Sequence, residues 1–132
     1  MDNTLTFIGL MKKASCLAIG ADSIYSVAEQ GKIRLLALAK DTAKNTSQAV
    51  KNTAANWELP LLFLDFTKAD IGEALGQKEC AAFGITDTGF ALALCKKLGK
   101  TDFEEMLTER LEREKKRKAK KTAAGAARKR RK

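Results

Sequence analysis

The sequence predicts an α/β protein, a three-layer α/β/α sandwich with about four strands in a mixed sheet, followed by a C-terminal helix and a basic tail. Three observations carry this reading. Short apolar runs bounded by turn residues alternate with segments of helical periodicity from residue 4 to residue 98. The run Ile33-Arg34-Leu35-Leu36-Ala37-Leu38-Ala39 is apolar at every position but one, as a strand covered on both faces must be. The 132 residues, 45% of them apolar, suit one core rather than two.

Residues 4–14 place Leu5, Ile8, Gly9 and Met11 on one helical face, with Lys12 and Lys13 at the end where cations suit the macrodipole. A short apolar segment, residues 16–19, follows. Gly20 and Asp22 then open a helix over about 22–30 that carries Ile24, Val27 and Ala28, and Gly31 closes it. The apolar run 33–39 belongs in the middle of the sheet. A third helix over about 45–57 carries Ala49, Val50, Thr53, Ala54 and Trp57, and must end before Pro60, which disfavours helical geometry in the residue preceding it. Residues 61–66 form the next strand, 68–75 a short helix closed by Gly76, and 80–86 another apolar strand. Asp87 or Thr88 caps a helix running through Phe90, Leu92, Leu94, Cys95 and Leu98 to Gly99. Thr101 with Glu104 spells a capping box for a last helix, whose apolar stripe is Phe103, Met106, Leu107 and Leu111.

The formal charge of +9 is unevenly placed. Residues 1–100 hold 12 basic and 10 acidic side chains, 101–114 hold 2 and 6, and 115–132 hold 11 and none. The division expected is an α/β domain over 1–100, a charged helix over 101–121 and a disordered basic tail over 122–132. Glu109 with Arg113, Glu112 with Lys116 and Glu114 with Lys118 support that helix by only ~0.2–0.5 kcal/mol per pair, so it should fray towards Lys121. The tail residues Lys115, Lys116, Arg117, Lys118, Lys120, Lys121, Arg128, Lys129, Arg130, Arg131 and Lys132 have no apolar anchor among them, which favours nucleic-acid phosphates over a membrane surface. Such a run reads phosphates and supplies affinity without sequence specificity.

Much catalytic chemistry is excluded. The chain has no His, hence no imidazole base, no Ser-His-Asp or Cys-His system and no His metal ligand. Cys16, Cys80 and Cys95 are odd in number and widely spaced, which points to small buried or reduced thiols rather than a disulfide framework or a zinc site. No GxxxxGK[ST] or GxGxxG motif occurs, and no cofactor is expected. Asp65, Asp70, Glu73 and Asp87 read more readily as caps and solvated carboxylates than as an acid/base pair. Gly72 and Gly76 spell GxxxG, on a soluble helix where it serves packing. Asp2 before Lys12-Lys13 reverses signal-peptide order and no span-length apolar run occurs, so a cytoplasmic monomer is expected.

In the body, Ala18-Ile19-Gly20-Ala21-Asp22-Ser23-Ile24 places a glycine before a helix start, where several backbone N–H groups point outwards and favour a phosphate or the acceptor edge of a base. Together with Gly31 and the run to Asp41, with Asp70-Ile71-Gly72-Glu73-Ala74-Leu75-Gly76-Gln77-Lys78, and with Thr86-Asp87-Thr88-Gly89-Phe90, it resembles the L-seven-Ae superfamily of ribosomal kink-turn RNA binders, and in particular its short bacterial YlxQ-like branch. The likeness covers about residues 5–98. It implies the three-layer sandwich, no enzymatic activity, and an RNA face in two parts: Gly20, Ala21, Asp22, Ser23 and Ser26 at the start of the second helix, and Gln77, Lys78, Glu79 and Cys80 before the last strand. The implied partner is structured, ribosomal RNA, with ribosomal or translation-associated proteins as further partners. Kink-turn readers commonly carry Asn or Glu, then Glu, then Lys where Asp22, Ser23 and Ser26 stand, and a Gly-Lys pair where Ser15-Cys16 stands. The alternative reading is a ribosome-associated protein-interaction module that no longer reads kink-turns specifically.

Overall fold

The computed structural model describes the backbone over residues 3–130 and side chains through residue 117. The chain runs α1 (Thr4–Lys13), β1 (Leu17–Ile19), α2 (Ala21–Glu29), β2 (Leu35–Leu38), α3 (Lys44–Asn56), β3 (Leu61–Phe63), α4 (Lys68–Leu75), β4 (Ala82–Ile85), α5 (Thr88–Leu98) and α6 (Thr101–Arg130). The strands lie in the order β1-β4-β2-β3, with β2 and β3 parallel and the other pairs antiparallel. The sheet is therefore mixed, as expected, and the apolar run around Leu36 sits inside it.

Alternation along the two inner strands separates the core into two layers. Leu35 and Ala37 of β2 and Phe83 and Ile85 of β4 face one side, against Ile8 and Met11 of α1, Ile71 and Leu75 of α4, Leu94 and Cys95 of α5 and Leu107 of α6. Leu36 and Leu38 with Ala82 face the other, against Ile24 and Ala28 of α2 and Val50 and Ala54 of α3. All of β2 and β4 is buried, which is why these segments lack the polar alternation of a half-exposed strand.

Local signals set the boundaries. Thr67 caps α4 by accepting from Asp70 N at 3.1 Å, and Asp87 caps α5 by accepting from Phe90 N at 2.8 Å. Gly76 and Gly99 end α4 and α5. β3 is an edge strand and stops at Phe63, three residues earlier than expected, because the chain turns there towards the Thr67 cap.

One expectation about the C-terminal region is corrected. The helix expected to end at 121 continues to Arg130, so residues 122–130 form its last turns rather than a disordered tail. Ala and the straight-chain Lys and Arg are the strongest helix formers, and Gly125 alone, costing about 1 kcal/mol, does not interrupt them. The apolar stripe expected on this helix joins the core: Leu107 is 2% exposed and sits in the α1/α4/α5 layer with Phe103 and Leu111 packed beside it.

Candidate nucleic-acid interface

Gly20 joins β1 to α2 with φ +89°, a conformation strained for any residue with a Cβ. Its N–H still belongs to the sheet, donating to Ala82 O at 3.0 Å, while its carbonyl already accepts the first helical bond, from Ile24 N at 3.0 Å. The turn is so abrupt that the N–H groups of Ala21, Asp22 and Ser23 precede the first helical bond, and no side chain caps them. Asp22, expected as a cap, is instead an exposed first-turn residue, where its charge suits the positive end of the helix. Ser23 and Ser26 are also exposed.

The second group lies against the first. Cys80 donates its thiol proton to the same Ala82 carbonyl, at 3.3 Å, so one buried oxygen ties the start of α2 to the loop before β4. That loop is seated on α4: a Cβ at Gly72 would lie 2.4 Å from Glu79 Cα and 2.7 Å from Glu79 N, so only glycine admits the backbone here. Gln77, Lys78 and Glu79 are exposed. Cys80 is not: at 4% exposure, with its thiol turned inwards, it supports the loop and offers no side chain to a ligand, which corrects its expected place on the face. Burial pushes its thiol above the ordinary range, opposed by the Ala82 bond and by Lys12.

The basic segment is elsewhere. Gly20 and Ala82 mark one end of the sheet, Arg34 and Ile85 the other, since Arg34 N donates to Ile85 O at 2.7 Å. α6 starts beside β3 and Gly99, passes Pro60, and reaches the Arg34 end, where Glu114 Oε1 accepts from Thr88 Oγ1 at 2.9 Å and lies 3.5 Å from Arg34 Nε and 3.7 Å from Arg110 Nε. Exposed Lys115, Lys116 and Arg117 follow directly. The three residue steps from Ala82 to Ile85 separate the two ends by roughly 10 Å. Side chains from Lys118 onward, and Arg131 and Lys132 altogether, lie outside the described residues. The structure thus joins the two fold-surface groups and sets Lys115, Lys116 and Arg117 at the opposite end.

The Thr88/Arg34/Glu114 cluster is not among the sequence-based expectations. Its one signal is Arg34 itself, the single charge in an otherwise apolar run, since a charge beside a buried strand needs partners. Asp87 caps α5, Asp70 begins α4, and Asp65 is exposed beside Lys40 at 3.7 Å, so these carboxylates do not converge. Among the described residues no group of three or more His, Cys, Asp or Glu side chains is placed to hold a metal, and no helix is long and apolar enough to cross a membrane.

Comparison with known proteins bears on this geometry. No family profile matches the chain. An RNA-binding protein YlxQ from Enterococcus faecium is 32% identical over 87 residues, spanning 66% of this chain and 82% of its relative. The chain belongs to the YlxQ family. A second YlxQ protein, from Bacillus subtilis, is 24% identical over 84 residues, covering 64% of this chain and 83% of that one. Among solved structures, a Bacillus halodurans protein of unknown function superposes with a TM-score of 0.69 at 21% identity, covering 75% of this YlxQ-family chain and 99% of its own. A Giardia lamblia 15.5kD RNA binding protein superposes with a TM-score of 0.61 at 17% identity, covering 78% and 85% respectively. Both likenesses concern the fold alone, the α/β sandwich around a four-stranded sheet.

Proposed function

We propose that this protein is a non-enzymatic, cytoplasmic RNA-binding accessory of translation, acting as a monomer on structured ribosomal RNA. The observation that carries this reading is the shared Ala82 carbonyl, which fixes the uncapped start of α2 beside the Gln77–Glu79 loop. Three outward N–H groups next to an exposed lysine suit phosphates and acceptor edges of bases, in a chain whose relatives carry RNA binding in their names. Shape preference arises at this end of the fold and is modest, because Asp22 accepts but does not donate and no cation occupies position 26. Bulk affinity comes from the basic half of α6.

The test is filter binding of the full chain and of a chain ending at residue 114 to a kink-turn RNA and a scrambled control across a salt series. The shorter chain keeps Leu107 and Glu114, and hence the packing of α6. Its log–log salt slope should be smaller by about 0.7–0.9 for each phosphate it no longer neutralises, while its preference for the folded RNA persists. Equal slopes for the two chains, or no preference in either, would reject the assignment.

A further inference from the structure

The Arg34 end of the sheet gathers three guanidiniums, Arg34, Arg110 and Arg113, against two carboxylates, Glu114 and the exposed Glu58. Two guanidiniums, Arg34 and Arg110, share Glu114, and neither buried Nε has a hydrogen-bond acceptor among the described residues. Arg110 feels this crowding: burial lowers its pKa from the ordinary value, and the nearby charges of Arg34, Arg113 and Arg117 lower it further against the pull of Glu114.

Two adjoining cavities, of about 150 and 190 Å³, open beside this cluster and share Ile33, Arg34, Arg110, Trp57 and Leu59 as walls, with Arg113 and the exposed Glu58 lining the first. Trp57 is half-buried and held edge-on against Tyr25, ring centroids 5.3 Å apart at 83°. Cations beside an aromatic ring and a recess are the means by which proteins hold a nucleotide of unpaired RNA, the base lying on a ring or guanidinium plane and the phosphate on Arg forks. The recess leads straight into exposed Lys115, Lys116 and Arg117 and the basic turns of α6, about 24 Å of helix from residue 115 to residue 130.

We infer that the recess formed by Arg34, Trp57, Arg110 and Arg113 is a second RNA site, which takes a single-stranded nucleotide while α6 tracks the phosphates beyond it. The inference deepens the RNA-binding reading and rests on it. The protein would then engage two separate stretches of RNA, one at each end of its sheet.

Trp57 is the only tryptophan, so its fluorescence reports on this recess alone. The full chain is titrated at low salt with a fluorescein-labelled oligouridylate, anisotropy reading total binding, and in parallel with the unlabelled oligomer, Trp57 emission reading the recess. The inference expects saturable quenching of Trp57 at the concentrations that raise anisotropy. Arg113→Gln and Arg110→Gln should each weaken the quenching affinity at least fivefold, whereas Lys44→Gln, an equal loss of charge at the exposed start of α3, should not. Thermal melts confirm that each variant is folded, and Arg113, exposed and outside the ion pairs described, carries the test if Arg110→Gln is not. Binding seen by anisotropy with a silent Trp57, or Arg113→Gln quenching at wild-type affinity, overturns the second site and leaves the first reading standing. No anisotropy change rejects both.

Discussion

Gly72 of α4 lies so close beneath Glu79 that a methyl group there would meet the Glu79 backbone at 2.4 Å (Cα), 2.7 Å (N) and 2.9 Å (C). All three atoms are main chain, so no flexible side-chain tip can give way. Gly72→Ala should therefore destabilise the fold by about 1–3 kcal/mol, the usual range for overpacking, and displace the Gln77–Glu79 loop. Urea denaturation reads the first effect, and weaker binding of structured RNA by the surviving folded protein reads the second.

Ser15 occupies the left-handed region, with φ +60°, between α1 and β1. This is the position at which the family resemblance places a glycine. A residue with a Cβ costs about 1–2 kcal/mol in that conformation, and glycine returns part of the gain through the entropy of the unfolded chain. Ser15→Gly should raise stability by about 0.5–1 kcal/mol without altering RNA affinity. A melting temperature unchanged or lowered would show that the turn relaxes around serine.

Glu114→Gln should separate stability from binding. The change weakens the attachment of α6 to Thr88 and Arg34, and since Glu114 is partly open to solvent the loss should be about 1 kcal/mol. RNA affinity should move the other way, because a competing carboxylate leaves the Arg34/Arg110 recess. Parallel denaturation and binding titrations check both signs, and a fall in affinity would count against the recess as an RNA contact.

Cys95 is fully buried, and that burial, aided by Glu104, pushes its thiol from the ordinary 9.0 up to about 11. The folded state then keeps its proton where the unfolded chain has lost it. Stability is accordingly undiminished below pH 9 and falls as pH rises from 9 to about 11, by at most about 2 kcal/mol. Denaturation across this window should show a flatter decline in Cys95→Ala than in the parent chain, from a lower starting value. At pH 8 a thiol reagent should label Cys16, the partly exposed cysteine, before Cys80 and Cys95.

Asp22 and Ser26 are exposed, so their substitution tests recognition with little effect on the core. Asp22→Asn adds a donor, and Ser26→Lys adds a cation beside the α2 start. Together they should tighten binding to a kink-turn RNA by roughly tenfold, equivalent to about 1.4 kcal/mol, while leaving a scrambled control within about twofold. Equal tightening on both RNAs would mean that charge alone had been added.

Residues with strong local signals were legible in the sequence. Gly76, Asp87 and Gly99 delimit α4 and α5 where turn and cap chemistry requires, and the uninterrupted run through Leu35 and Leu38 marked a strand buried on both faces. What the sequence did not disclose depends on partners far along the chain. The inward bond of the Cys80 thiol to the Ala82 carbonyl, which takes that side chain off the expected RNA face, has no trace in the neighbouring residues. The pairing of Arg34 with Glu114, 80 positions apart, has no local trace on the Glu114 side, where the surrounding pattern is that of a solvated helix. The extent of α6 was misjudged because the apolar stripe ends at Leu111, whereas propensity carries the backbone further.

The place of Leu107 in the α1/α4/α5 layer has a bearing on how the protein is made. Synthesis delivers the chain from its N-terminus, and every strand is present by Ile85, yet the outer side of α5 in this layer stays uncovered until α6 arrives. Nascent chains halted before residue 107 should expose an apolar strip and attract chaperones. A few residues later, Glu114 reaches Thr88 and the layer closes, so translation of the basic segment begins on a body that has only just finished folding.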